Sequence, residues 1–279
     1  MLLRPGERPP VVPTAAERLV GDPTAPGPWQ EEVARCDGAV NMAGEPVFGR
    51  WDAAKKARIR ESRVATTRNL VAAIPAGGGF RLFSTSAVGI YGDAGDRVLD
   101  ENAPLGTDFL ARVAREWEAE ALRARDRGAR VVIGRFGIVL GRDGGALGQM
   151  AKMTRRFLGG PVGAGRQWFS WIHREDLVRA VEFLLARDDL EGVFNLCAPS
   201  PVRQIDLARA LGRLLGRPSF TPAPKFAVRL ALGEFADVVL FSQRMVPARL
   251  LEAGFTFRYP DLEGALRDIF SSEREDQIP

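Results

Sequence analysis

The chain has 279 residues, of which 46% are hydrophobic and 27% charged, enough for one large domain or a domain with a smaller lobe. Lysine and arginine number 39 against 35 acidic residues, and they are scattered, which argues against a nucleic-acid partner. Two cysteines and a single histidine exclude a disulfide framework and a multi-histidine site, so no metal is predicted.

The N-terminus carries no apolar leader, and no run reaches the roughly 18 apolar residues of a membrane span. The sequence therefore predicts a cytoplasmic protein with no membrane partner.

Short apolar runs alternate with helical patterns along the first part of the chain. The predicted strands are 1–4, 18–20, 38–42, 80–83, 131–135 and 192–196, and the predicted helices are 29–35, 52–74, 109–127 and 176–186. This alternation predicts an α/β fold with a doubly wound parallel sheet. An exposed acidic loop is predicted over 93–108, and short helices separated by prolines follow residue 218.

Hydroxyl side chains follow the strand predicted at 80–83. Ser84, Thr85 and Ser86 come directly after Phe83. Ligands of open α/β sheets bind beyond the carboxyl ends of the strands, so these hydroxyls are placed to touch one. An ordinary strand followed by a Ser/Thr turn fits this stretch equally well.

Other chemical motifs are weaker. Gly141, Gly144, Gly145 and Gly148 follow a predicted strand, but their spacing differs from Gly-x-Gly-x-x-Gly, so a flexible loop is favoured over a phosphate-binding one. His173 is predicted to be structural rather than a general base. Asp176 is predicted to cap or charge-stabilise the helix that begins there.

Three segments together resemble the extended short-chain dehydrogenases/reductases. They are Val40 to Gly44, Phe83 to Gly92, and Trp171 to Val178. A narrower resemblance, to the atypical sugar-nucleotide epimerase-like family, rests on further matches. These are Trp51 with Ser62-Arg63, Trp117-Glu118, Arg135 to Gly141, Gly159 to Trp168, and the ending from Pro224 to Phe257.

The resemblance implies a Rossmann-like domain over 1–217, a small C-terminal domain over 218–279, and NADP as cofactor, with NAD less favoured. Ser86 takes the place of the active-site Ser/Thr that polarises a carbonyl. The implied cofactor contacts are Arg4 at a 2′-phosphate, Asp22 and Pro23 at the adenine, Ala43 and Gly44 under the cofactor, Ser62 facing the adenosine half, and Ser84, Phe136, Gly137 and Ile138 near the nicotinamide.

The chain departs from the family in two places. Leu110 and Ala114 occupy the positions of the Tyr and Lys that transfer a proton in working members. The first strand, its glycine-rich loop and its helix are missing ahead of residue 1, and a mis-called start codon would explain that gap. We expect weaker NADP(H) binding than in a chain extended upstream, and self-association through an uncovered strand edge.

The predicted function is that of an NADP-binding reductase or epimerase acting on a small or nucleotide-sugar-like substrate. The alternatives are a non-catalytic dinucleotide-binding or interaction module, and an inactive truncated product.

Overall fold

The computed structural model describes residues 1–3, 17–142 and 144–275. In this part of the chain the strands are β1 (Leu2–Leu3), β2 (Leu19–Val20), β3 (Gly38–Asn41), β4 (Arg81–Ala87), β5 (Val98–Leu99), β6 (Arg130–Phe136), β7 (Ile138–Leu140), β8 (Trp168–Phe169), β9 (Trp171–His173), β10 (Gly192–Leu196), β11 (Val202–Arg203) and β12 (Arg244–Met245). The α-helices are α1 (Trp29–Val33), α2 (Ala53–Ala73), α3 (Phe109–Leu122), α4 (Gly145–Arg155), α5 (Arg174–Ala186), α6 (Gln204–Leu215), α7 (Lys225–Leu232), α8 (Phe235–Leu240), α9 (Ala248–Glu252) and α10 (Leu262–Glu275).

The central sheet is parallel and has the order β3, β4, β6, β10. Alternate residues of β4 point to opposite faces, so Leu82 packs with α2 and α3 whereas Phe83 packs with α5. Helices therefore cover both faces of the sheet, and the predicted doubly wound α/β fold is confirmed. Strands β1 and β2 form a separate parallel pair, although Leu2 packs against the same apolar cluster as Leu82.

The C-terminal helices share cores with earlier elements. Leu262, Leu266 and Phe270 of α10 pack with residues of α4 and α6, and Leu250 of α9 packs with α5. The region after residue 218 is mostly helical, as expected, and it is joined to the sheet domain by apolar contacts.

Two local expectations were wrong. The hydroxyls of Ser84 to Ser86 lie within β4 rather than beyond it, because the strand keeps its ladder with β6 as far as Ala87. The acidic loop is not exposed throughout, since Leu99 and Glu101 are buried beneath β12 and β10.

No helix among the described residues is long and apolar enough to cross a membrane.

Candidate functional site at the strand ends

The carboxyl ends of β3 and β4 lie side by side. Asn41 pairs with Ser84 in the ladder, and Ala43 and Gly44 follow directly. The prediction that these strand ends are neighbours is confirmed. Asn41 is fixed by a bond from its Nδ2 to Thr67 Oγ1 of 2.7 Å, which ties the end of β3 to α2.

The serines of β4 point into the layer between the sheet and helices α2 and α3. Both are buried, Ser86 at 0% exposure. The Ser86 hydroxyl donates to Glu118 Oε1 over 2.6 Å, whereas Ser84 Oγ has no hydrogen-bond partner among the described residues. The side chain expected to polarise a substrate is thus held by a carboxylate.

Glu118 and Arg135 form a buried ion pair behind Ser86. Arg135 donates from Nε to Oε1 and from Nη2 to Oε2, each over 2.8 Å. Burial lowers the pKa of Arg135, but the bonds to Glu118 outweigh that effect and raise the pKa above its usual value. Arg135 therefore stays charged.

Tyr91 extends this network toward β10. Its hydroxyl accepts from Arg135 Nη1 over 3.0 Å and donates to Asn195 Oδ1 over 2.7 Å. Burial raises the pKa of Tyr91 to about 12, although Arg135 acts in the opposite direction. Tyr91 is consequently protonated at neutral pH and is not available as a proton acceptor.

The turn after β3 is shaped by α2. Ser62 Oγ accepts the Glu45 N–H over 2.8 Å, and Arg63 Nη1 donates to the Glu45 carbonyl over 3.1 Å. A Cβ at Gly44 would lie 3.0 Å from the Arg63 guanidinium carbon. Burial lowers the pKa of Arg63 to about 10 against the opposing effect of Glu45. Ser62 therefore supports the turn, and Arg63 stands directly behind Gly44.

The turn between β6 and β7 is closed by backbone bonds. The Gly137 N–H donates to the Leu196 carbonyl over 3.0 Å, and the Ile138 N–H donates to the Ser170 carbonyl over 2.8 Å. A Cβ on Gly137 would lie 3.0 Å from that Ser170 oxygen. These two N–H groups are thus not available to a ligand, and the side chains of Phe136 and Ile138 are half-buried.

The Asp22–Pro23 turn lies farther along α2. The Asp22 carboxylate accepts the Thr24 N–H over 2.9 Å, and the Pro23 carbonyl accepts Asn69 Nδ2 over 3.0 Å. Asn69 is seven residues from Ser62, which is roughly 10 Å along a helix. One face of α2 thus supports both turns. Arg4 lies outside the described residues.

Leu110 and Ala114, at the positions of the missing proton-transfer pair, make apolar contacts. Leu110 Cβ would lie 3.6 Å from a Cβ on Gly89, just after β4, and Ala114 is buried in a cluster with Val88 and Ile90. They lie beside the end of β4, where the family's pair was expected, and neither side chain can move a proton.

Sequence reasoning did not assign Glu118, Arg135, Tyr91, Asn195 or Arg63 to the site. Trp117-Glu118 and Arg135 were present as family matches, which could have indicated them. Their pairing was not predictable, because Glu118 and Arg135 are 17 residues apart, on a helix and on a strand.

His173 is structural as predicted, because its Nδ1 caps α5 by accepting the Glu175 N–H over 3.1 Å. Burial lowers the pKa of His173 despite Asp268 nearby.

Two cavities of the described residues lie away from these strand ends. One, of about 180 Å³, is lined by residues including Leu140, His173 and Asp268. The other, of about 450 Å³, is lined by residues including Arg213 and Phe220.

Residues 5–197 match the model of the NAD dependent epimerase/dehydratase family, and residues 223–269 match a domain of unknown function, DUF1731. The chloroplastic SDR39U1 homologue of Arabidopsis thaliana is 44% identical over 245 residues, which cover 86% of this chain and 70% of the relative. An epimerase family protein of Mycobacterium leprae is 40% identical over 256 residues, covering 91% and 83%.

Solved structures agree with these matches. The crystal structure of human epimerase family protein SDR39U1 with NADPH superposes with a TM-score of 0.81 and 34% identity, covering 91% of each chain. UDP-glucose 4-epimerase of Thermus thermophilus with NAD superposes with a TM-score of 0.71 at 17% identity, covering 93% and 86%, and shows the fold alone.

Proposed function

Because the chain belongs to the NAD-dependent epimerase/dehydratase family, we propose that it binds NADP(H) at the carboxyl ends of β3, β4 and β6. We infer that it acts there as a reductase or epimerase on a small-molecule substrate. The observation that carries this proposal is the alignment of β3 with β4, which brings Gly44 and Ser84 to one edge of the sheet.

The residues at this edge suit a flat, partly polar ligand. Ala43, Gly44 and Ala87 are small and at least partly exposed, which leaves room for close approach to the backbone. Ser84 Oγ is buried and has no partner in the described part of the chain, an unfavourable state that a hydrogen bond would relieve. Arg63 places a positive charge behind Gly44, which favours a ligand carrying negative charge. When bound, the nicotinamide supplies hydride transfer.

The choice of NADP over NAD rests on two supports. The related human SDR39U1 was crystallised with NADPH. The resemblance also puts Arg4 where a 2′-phosphate would lie, although Arg4 is outside the described residues.

Ser86 and Glu118 supply the polar chemistry of the site. The Ser86 hydroxyl donates to Glu118 when no substrate is bound, and it polarises a carbonyl after rotating away from that carboxylate. The Arg135 bonds hold Glu118 in place during this exchange. Proton transfer does not use Leu110 or Ala114.

Titration of NADPH, followed by its fluorescence and by calorimetry, tests cofactor binding. Gly44→Ala should weaken binding by about tenfold, equivalent to about 1.4 kcal/mol, because the added methyl group would lie 3.0 Å from the Arg63 guanidinium carbon and displace the positive charge behind Gly44. Gly141→Ala is the matched control, since nothing lies within 4 Å of its added Cβ. Absence of NADPH binding by the unsubstituted chain, or equal affinity in both variants, contradicts the proposed site.

Turnover is tested with NADPH and a panel of carbonyl substrates. Ser86→Ala should lower kcat by roughly a hundredfold, the scale of losing a donor to the transition state. Activity equal to that of the unsubstituted chain removes Ser86 from the mechanism. NADPH binding with no turnover on any carbonyl would instead favour a non-catalytic dinucleotide-binding protein.

A further inference from the structure

Four aromatic side chains join the loop after β3 to the C-terminal lobe, which comprises the residues after 218. Phe235 of α8 lies 5.3 Å from Phe48 and 5.8 Å from Trp51, measured between ring centroids. Trp51 also lies 5.4 Å from Phe109, the first residue of α3. The first and the last of these ring pairs are inclined at 73° and 65°, the edge-on arrangement that aromatic pairs prefer. We refer to these four residues as the aromatic latch.

Two polar contacts beside the rings connect the same parts of the molecule. Lys56 of α2 forms an ion pair with Glu234, the residue before α8, and its Nζ lies 5.4 Å from the centroid of the Phe109 ring. Arg50 Nη1 donates to the Leu230 carbonyl of α7 over 3.2 Å. Arg50 and Glu234 are exposed, so these polar contacts are weak and can break without disturbing a core.

The aromatic latch lies beside the strand ends at which the cofactor is proposed to bind. The loop that it holds, residues 42–52, begins at the end of β3 and contains Gly44. Phe109 precedes Leu110, whose Cβ lies 3.6 Å from the place of a Cβ on Gly89, just after β4. The lobe is therefore attached to the segments that follow two neighbouring strands of the sheet.

The first part of this loop is held differently from its middle. Ser62 and Arg63 of α2 bond the backbone of Glu45. Gly49 has a φ of +107°, which side-chain-bearing residues rarely adopt, and nothing lies within 4 Å of the place of its Cβ. Phe48, next to it, is 62% exposed. The middle of the loop can therefore swing away from the lobe while the first part stays on α2.

We propose that the C-terminal lobe closes the cofactor site through the aromatic latch, and that NADP(H) enters and leaves when Phe48 moves away from Phe235. The proposal rests on the proposed function and adds the step that controls exchange of the cofactor. Phe235 is the fixed part, because it is only 6% exposed, and Phe48 is the moving part. Loop closure of this kind commonly limits the release of a bound molecule.

Stopped-flow release of NADPH from the full chain tests the proposal, with excess NADP⁺ as the displacing ligand and NADPH fluorescence as the signal. Phe48→Ala should speed release by about tenfold, the scale of losing one aromatic pair. The association rate should rise as well, so that the dissociation constant changes less than either rate. Phe235→Leu, which keeps an apolar side chain, should act in the same direction. A side chain that only stabilised the fold would leave both rates unchanged.

Phe183→Ala is the matched control. Phe183 forms a similar edge-on pair with Phe255, at 5.5 Å and 66°, in the apolar cluster on the α5 side of the sheet. Its removal should leave both NADPH rates unchanged. Lys56→Gln removes only the exposed ion pair with Glu234, and it should speed release by less than Phe48→Ala does.

Cleavage by trypsin after Arg50 gives a second readout, which needs no cofactor. Opening of the loop releases Arg50 from the Leu230 carbonyl and exposes this bond to the protease. Mass spectrometry of the fragments should show that Phe48→Ala speeds the cut at Arg50 by about tenfold, whereas Phe183→Ala does not. Saturating NADPH should slow the cut in the unsubstituted chain.

The proposal is overturned if Phe48→Ala and Phe183→Ala release NADPH and are cut at Arg50 at equal rates. It is also overturned if cleavage rises in Phe48→Ala but both NADPH rates stay unchanged, because the loop then opens without controlling the cofactor. Absence of NADPH binding by the unsubstituted chain would defeat the proposed function and the exchange step with it. Normal NADPH affinity with unchanged rates would defeat only the latch.

Discussion

At the scale of single residues, Glu118 joins side chains from two strands. It accepts from Ser86 of β4 and takes both bonds of Arg135 from β6. All three residues are buried. Such a group does more than stabilise one contact, because its removal leaves a buried guanidinium without a countercharge.

Glu118→Gln should therefore lower the free energy of unfolding by roughly 3–5 kcal/mol, the usual cost of breaking a buried pair on one side. Urea denaturation followed by circular dichroism measures the change. The control is Glu116→Gln on the same helix, whose pair with Arg60 is half-exposed and should be worth less than about 1 kcal/mol. Similar small losses in both variants would show that the Glu118–Arg135 pair contributes little.

At the scale of elements, Asp176 links α5 to the segment before α10. Its oxygens accept the N–H groups of Arg258 and Tyr259, each over 2.8 Å, and the side chain is fully buried. The sequence predicted that Asp176 would cap or charge-stabilise its own helix. His173 provides the cap instead, and Asp176 lies in the first turn, where a carboxylate stabilises the helix dipole.

Asp176→Ala should destabilise the protein by about 3 kcal/mol, since it leaves two backbone donors unpaired. Thermal or urea unfolding gives the value. Asp206→Ala is a suitable comparison, because Asp206 also lies in the first turn of a helix but is exposed and 3.9 Å from its arginine, and it should cost less than about 1 kcal/mol. Equal losses of stability in the two variants would mean that water replaces the two hydrogen bonds that Asp176 accepts from the backbone.

At the scale of the whole molecule, stability should depend on pH through the single histidine. His173 is buried, its Nε2 is 3.3 Å from Asp268, and it lies near Tyr259, Glu175, Asp176 and Arg174. Burial lowers its pKa in the folded state, so the unfolded chain binds a proton more readily. Stability is then unaffected above the unfolded pKa of about 6.5 and falls as pH decreases below it.

His173→Asn tests this, because asparagine also caps helices but does not titrate. Urea unfolding at a series of pH values should show the unsubstituted protein losing stability relative to the variant below about pH 6.5. Parallel curves would mean that burial and Asp268 have equal and opposite effects on the pKa of His173, and the opposite slope would mean that Asp268 outweighs burial.

Strand β3 is a second feature of the whole molecule. Among the described strands it pairs only with β4, and Val40 is 48% exposed there. An edge of this kind promotes pairing with another chain. Val40→Lys should reduce concentration-dependent association in sedimentation velocity. Val178→Lys, at a similarly exposed position on α5, should not; if both variants associate equally, self-association does not use this edge.

The sequence determined the α/β fold, the strands of its central sheet and the family, because these depend on local periodicity and on short motifs. It also predicted that Ala43–Gly44 and Ser84–Ser86 would be neighbours, since carboxyl ends of parallel strands share one edge of a sheet. Hydrogen-bond partners were not predictable in this way. Glu118 and Arg135, Asp176 and Tyr259, and Trp168 and Arg244 are distant in sequence, and their pairing depends on how helices and strands pack.

Only the tertiary structure showed that Ser86 bonds to Glu118 while Ser84 has no partner among the described residues. Strand alternation puts both serines on one face of the sheet, and it does not indicate which of them has a hydrogen-bond partner. It likewise decided that the acidic loop is partly buried. Glu101 accepts the N–H groups of Asn195 and Arg249 there. Both bonds cross more than 90 residues, and no local pattern specifies contacts of that range.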